Sequence, residues 1–260
     1  MKEQELHHLF ESAYELLKTL ISIPSFSKSE DKTADCIENF FATFSIPTHR
    51  EMNNVWAFNK FYDPSKPTIL LNSHHDTVKP NASYTLNPFE PIEKDGKLYG
   101  LGSNDAGGCL VSLIATFIHF FDKENLKYNL VLAATAEEEI SGINGIESIF
   151  QKLGSIDFAI VGEPTEMNLA IAEKGLLVLD CVAKGTSSHA AHPNHNNAIL
   201  NAIEDIQWFN TYKFDKVSDL LGEVKMTITI INSGSQHNVV PDSCQFTVDV
   251  RTTELYTNTE

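Results

Sequence analysis

An apolar, β-branched run that breaks off in two histidines and an aspartate constrains this chain most: TILLNSHHDTV, residues 68–78. The pattern predicts a buried parallel strand whose carboxyl end delivers His74 and Asp76 to the rim of a sheet. Ligands of open α/β sheets bind outside the carboxyl ends of the strands. Two further runs end alike. YNLVLAAT (128–135) leads into Glu137, Glu138 and Glu139, and FAIVG (158–162) leads into Glu163. Three predicted core strands thus release acids or a histidine at one edge, which points to a metal site on that rim.

The remaining periodicity predicts what surrounds these strands. Leu6, Phe10, Ala13, Leu17 and Leu20 recur at helical spacing before Pro24, and a second helix is expected over about 30–44 with Ser29 as its N-cap. Short strands are expected at 55–58 and 97–101, an irregular proline-bearing loop at 79–95, and helices at 109–121 and 145–152. This β-α-β order predicts an α/β fold with a parallel-rich sheet sandwiched by helices. After Glu173 the pattern changes to longer, partly alternating strands, GLLVLDCVAKG, EVKMTITIINSG and CQFTVDVRTT, with one helical stretch at 197–209. That is an α+β pattern, so two domains are expected, residues 1–173 and 174–260.

The formal net charge of −16 argues against nucleic acid or an anionic membrane as a partner. Cys36, Cys109, Cys181 and Cys244 show no paired spacing, so they are expected as buried free thiols. The amino terminus lacks an apolar signal core, and no run approaches a membrane span, so a cytoplasmic location is expected.

Candidate chemistry concentrates in a few residues. His74 and Asp76 are alternate strand residues, so they share one side of the chain; His75, between them, is expected to be structural. A lone His-x-Asp also fits a capped strand end. Asp105 opens the glycine-rich turn GSNDAGG, where an N-cap aspartate is equally at home. No Walker lysine or GxGxxG accompanies that turn, which removes a nucleotide site. Glu137, Glu138 and Glu139 repel one another unless a cation or solvent compensates, and Glu163 is an odd acid to follow an apolar strand. One imidazole with several carboxylates suits zinc or a similar transition metal better than calcium.

In order along the chain, SHHDTV, GLGSNDAGG, ATAEEEISG, VGEPT, GTSSHAAHP and HNVVPD…DVR resemble successive signatures of the co-catalytic zinc amidohydrolases. That family includes acetylornithine deacetylase, succinyl-diaminopimelate desuccinylase, aminoacylase and glutamate carboxypeptidase. The resemblance implies a zinc-peptidase-like sheet with an inserted lid and dimerisation domain. It implies two zinc ions, with cobalt as a substitute: His74 and Glu163 on one, Glu139 on the other, and Asp105 bridging. Asp76 would orient His74, and Glu138 would be the general base that later protonates the leaving amine. His189 would reach from the lid of one subunit of a homodimer to the partner's active site and stabilise the oxyanion. Asn238 and Arg251 would hold the substrate, an N-acyl amino acid.

Ser73 stands where the family favours glycine, Glu137 where it favours aspartate, and Ala106-Gly107 where Met-Lys is common. The family's last metal-binding histidine comes from a return of the chain after the lid. These residues stop at Glu260, inside the expected lid, which implies a shortened chain. VGEPTEM and AEKG look most like the acetylornithine deacetylase branch, and GLGSNDAGG and KMTITIINSGSQHNVVPD resemble its succinylornithine-cleaving relatives; either implies arginine biosynthesis. A succinyl-diaminopimelate desuccinylase, a dipeptidase and a non-catalytic protein with an incomplete metal site are the alternatives.

Overall fold

The computed structural model describes residues 3–257 and 259–260. The chain forms two compact units, Met1–Met167 and Asn168–Glu260.

In the first unit, a five-stranded sheet is ordered β1 (His49–Glu51), β2 (Asn54–Phe58), β6 (Asn129–Thr135), β3 (Thr68–His74), β7 (Phe158–Val161). β3 runs parallel to both β6 and β7, and β2 runs antiparallel to β6. β6 is buried along its whole length, as a central strand covered on both faces must be. Leu71 and Leu132 face one layer, formed by Leu16 and Leu17 of α1 (Glu3–Ile21), Ile37 and Phe41 of α2 (Asp31–Thr43), and Leu110, Ile114 and Phe117 of α3 (Cys109–Phe120). Their strand neighbours Leu70 and Val131 face the other way, onto Ile149 of α4 (Ile146–Ile149) and onto Leu153. Two faces, each with its own apolar cluster, make the α/β sandwich that the strand pattern predicts.

Several expectations change in detail. Leu6 and Phe10 are exposed, so only the second half of the apolar stripe of α1 is covered. Glu30, not Ser29, occupies the N-cap of α2. The loop at 79–95 ends in β4 (Ile92–Lys94), which forms a hairpin with β5 (Lys97–Tyr99). The helix expected at 145–152 is a single α-turn continued by a tighter turn at Phe150–Lys152. β7 is not a core strand: Phe158, Ile160 and Val161 are all exposed at the sheet edge. A short apolar run reads the same whether or not a neighbour covers it. Of the four free cysteines only Cys244 is fully buried.

In the second unit, β10 (Lys225–Ser233), β12 (Ser243–Thr252) and β8 (Gly175–Lys184) form an antiparallel sheet with β12 in the middle. Cys244, Phe246, Val248 and Val250 alternate inward along β12 onto Ala198 and Ala202 of α5 (Ala198–Thr211). Asn197 caps α5 by accepting the Ile199 N–H at 2.9 Å. The break in alternation within β10 is a register shift between Ile228 and Ile230. β9 (Ser188–His189) and β11 (Val239–Val240) form a separate two-stranded ladder.

Candidate metal centre

Parallel register fixes where the acids emerge. His74 pairs with Thr135 and Asn72 with Val161, so β3, β6 and β7 end together at one rim. The chain beyond β6 turns through Glu138–Ile140 and the chain beyond β7 reaches Glu163 within two residues. Asp105 arrives from an irregular turn, Ser103–Gly108, at the start of α3. Two glycines shape that turn. Gly102 has φ +75°, and a Cβ on Gly107 would sit 2.5 Å from the Gly102 carbonyl oxygen. Asp105 itself is extended, with φ −111° and ψ 102°, so its side chain leaves the helix axis instead of capping it.

At the centre lies His74, its side chain fully buried. Nε2 is 3.1 Å from Asp105 Oδ1 and 3.7 Å from both Glu138 Oε2 and Glu163 Oε1. The potential ligand atoms of His74, Asp105 and Glu139 lie within 4.8 Å of one another, as do those of His74, Glu138 and Glu163. Among the described residues these are the groupings able to hold a metal ion, and they share the imidazole. Glu138 therefore stands within ligand reach beside the four residues expected to coordinate.

Asp76 holds this arrangement from below. It is fully buried, and its backbone carbonyl lies 2.9 Å from His74 Nδ1, closer than its carboxylate at 3.4 Å. The carboxylate accepts the Ser27 hydroxyl at 2.7 Å and the backbone N–H groups of Glu138 and Glu139 at 3.0 and 3.2 Å. Asp76 thus orients the imidazole chiefly through its carbonyl and the acid-bearing turn through its carboxylate. His75 points elsewhere, between Thr33 Oγ1 and the Asn53 carbonyl, each at 2.8 Å. Burial holds its pKa down at about 4, so it is a neutral structural histidine.

The electrostatics describe a site crowded with negative charge. Burial opposes protonation of His74, but Asp76, Glu163 and Glu138 outweigh it and raise its pKa to about 9. Burial raises the Glu163 pKa to about 7; His74 opposes the rise, while Glu138, Asp105 and Glu139 reinforce it. Glu139 is likewise raised, by burial first and by Asp105 next. Acids pushed toward protonation by burial and by neighbouring carboxylates, as Glu139 and Glu163 are, form a donor set that a cation relieves. The oxygen and imidazole donors fit zinc or a comparable divalent ion.

The other expected site residues belong to the second unit. His189 is exposed at the end of β9; its Nδ1 accepts the Ala191 N–H, and its ring stacks edge-on against His192. The Asn238 carbonyl accepts the Ala190 N–H, so the two segments are joined through the backbone. Arg251 forks onto Asp249, with bonds of 2.8 and 3.1 Å to its two oxygens. The guanidinium expected to hold the substrate is thus already engaged by its own strand.

An α/β sheet with one buried imidazole and a ring of carboxylates at its carboxyl rim defines a metallohydrolase class. The family model described as peptidase family M20/M25/M40 matches residues 70–253, and the chain belongs to that family. It is 28% identical over 258 residues to a succinyl-diaminopimelate desuccinylase of Buchnera aphidicola, covering 92% of this chain and 68% of that protein. It is 30% identical over 256 residues to an acetylornithine deacetylase of Proteus mirabilis, covering 91% and 66%. This chain therefore spans about two thirds of the length of these relatives. Among solved structures it resembles a metallo-carboxypeptidase of the same family from Sulfolobus solfataricus, with a TM-score of 0.67 at 18% identity over 95% of this chain and 72% of that one. A dinuclear metal-binding peptidase from Bacillus subtilis gives a TM-score of 0.63 at 17% identity over 95% and 65%. No described helix is long and apolar enough to cross a membrane.

Proposed function

We propose that the protein is a dinuclear zinc hydrolase that cleaves the amide bond of an N-acyl diamino acid. The observation that carries this is His74 Nε2, set among Asp105, Glu138 and Glu163 where parallel strands end together. His74 and Glu163 would hold one cation, Glu139 the other, with Asp105 between them; cobalt would substitute for zinc. Bound there, two divalent cations polarise the amide carbonyl and acidify water.

The chain's own groups supply the rest. Asp76 keeps His74 Nδ1 engaged, which leaves Nε2 directed at the carboxylates. Glu138, on a half-exposed turn, takes the proton from the attacking water and returns it to the leaving amine. In a homodimer, His189 of the partner subunit would donate to the oxyanion. Residues 1–173 would be the catalytic part and 174–260 the lid, with Asn238 and Arg251 at the substrate. Arg251 would exchange Asp249 for a substrate carboxylate.

The names of the two relatives share one substrate chemistry, an acylated diamino acid. VGEPTEM and AEKG favour an ornithine derivative, whereas the Buchnera relative favours succinyl-diaminopimelate. Steady-state assays of the zinc-loaded protein on N-acetylornithine, N-succinylornithine and succinyl-diaminopimelate decide among them. Turnover of one is expected to exceed the others by at least about tenfold in kcat/KM, the scale of a single pocket contact. His189→Ala is expected to lower kcat on that substrate by about 100-fold with cation binding retained. Absence of turnover on all three would remove the N-acyl diamino acid assignment, and an unaltered His189→Ala kcat would remove the partner histidine.

A further inference from the structure

The turn that carries Glu138 and Glu139 is closed by the Ser141 N–H on the Glu138 carbonyl and the Gly142 N–H on the Glu137 carbonyl, each at 2.8 Å. It is a single tight turn at Glu138–Ile140, entered through Glu137 at φ 55° and left through Ser141 at φ 48°, with no side-chain cap of its own. Both flanking residues occupy the left-handed region, which is unfavourable for side chains of this kind. Those two bonds close the turn on its far side, and its approach is held from outside.

Four successive backbone N–H groups lead into it, and each is taken by a buried side-chain oxygen from elsewhere in the fold. Ala136 donates to Asn54 Oδ1 at 3.0 Å, and Glu137 to Glu30 Oε1 at 3.1 Å. Glu138 and Glu139 donate to the two oxygens of Asp76. Asn54 also donates to the Asn144 carbonyl at 2.6 Å, so it grips the far side of the same loop. Glu30 and Asn54, like Asp76, are fully buried.

Glu30 is the telling member. It sits at the N-cap of α2, where a side chain would ordinarily accept an N–H of its own helix, yet it makes no such bond. Its carboxylate instead collects the Lys28 and Glu137 N–H groups on one oxygen and Asn53 Nδ2 on the other. This buried carboxylate, diverted from its own helix end, is satisfied by three donors that tie the Glu137 N–H to the Lys28 and Asn53 segments.

The geometry points to Glu30 and Asn54 as positioning residues that, with Asp76, set the Glu138–Glu139 turn from beneath. The inference rests on the hydrolase proposed above, in which that turn carries the general base and a metal ligand. Neither residue touches the reacting atoms; each acts through the backbone that aims Glu138 and Glu139.

The test uses the 260-residue chain, titrated with Zn2+ against a chromophoric chelator, followed by the Co2+ absorption spectrum and by kcat and KM on the preferred substrate. Glu30→Ala is expected to weaken the more weakly held cation by about 10- to 100-fold and alter the Co2+ spectrum. It is expected to lower kcat by a similar factor, with KM within about twofold of wild type. Glu30→Gln retains an oxygen for the Glu137 N–H and is expected to recover most of both. Asn54→Ala should fall between them. Ile114→Ala, a cavity in the helix–sheet core, should lower the unfolding midpoint while leaving cation affinity and kcat of the folded protein unchanged. Should Glu30→Ala not fold, Glu30→Asp takes its place, since the shorter arm withdraws from Glu137 and must lose more than Glu30→Gln. Wild-type affinity and kcat in Glu30→Ala, or an equal loss in Ile114→Ala, would overturn the positioning role alone. A wild-type chain that binds no Zn2+ would overturn the hydrolase and this inference together.

Discussion

Glu138→Gln is expected to lower kcat by about 10²- to 10⁴-fold, the usual contribution of a positioned general base. The substitution keeps the size of the side chain and the backbone N–H bond to Asp76 Oδ1, so the turn remains in place. What it removes is the ability to accept a proton from water and pass it on. Cation affinity should change little, because the ligands His74, Asp105, Glu139 and Glu163 are intact. This outcome discriminates, since Glu138 Oε2 lies as near His74 Nε2 as Glu163 Oε1 does, each at 3.7 Å. If Glu138 were instead a ligand, Glu138→Gln would lose a cation along with activity. Zinc titration beside steady-state kinetics separates the two roles.

Asp76→Ala is expected to cost more than any other single change near the site, in stability and in metal affinity together. The carboxylate is fully buried and accepts three hydrogen bonds, from Ser27, Glu138 and Glu139. Removing it strands two backbone N–H groups, each costing about 1–3 kcal/mol when left unpaired. A loss of roughly 2–5 kcal/mol in urea unfolding follows from those magnitudes. Cation affinity should fall by about 10- to 100-fold as the imidazole and the acidic turn lose their common anchor. Asp76→Asn keeps one acceptor oxygen but turns an amide N–H toward another donor, so it should fall between wild type and alanine. Unfolding and cation affinity matching wild type in Asp76→Ala would show that the Asp76 carbonyl and the local backbone suffice to hold the site.

Much of this site was legible in the residues themselves because parallel strands carry long apolar runs that stop abruptly at the rim. The endings after 74, 135 and 161 point to one edge, and the register gathers His74, Glu138, Glu139 and Glu163 there, where Asp105 joins them from the turn before α3. Glu30 and Asn54 carry no local signature, because their partners lie 107 and 82 residues away, a spacing no local pattern encodes. Glu30 reads as an ordinary acid at the start of a helix, where acids are common. The Arg251–Asp249 fork was within reach of sequence reasoning, since alternate strand residues share a face. The exposure of β7 was not, because an apolar run does not say whether a neighbour covers it.

The most direct measurement is the zinc stoichiometry of the dialysed chain, taken for wild type and for Asp105→Ala. Asp105 is largely exposed and stands 3.1 Å from His74, so its loss should spare the fold while removing the shared ligand. Two zinc ions per wild-type chain and fewer than two in Asp105→Ala are the predicted result. Fewer than two zinc ions in wild type, or the same stoichiometry and affinity in both proteins, would contradict a two-cation centre at the rim of this sheet.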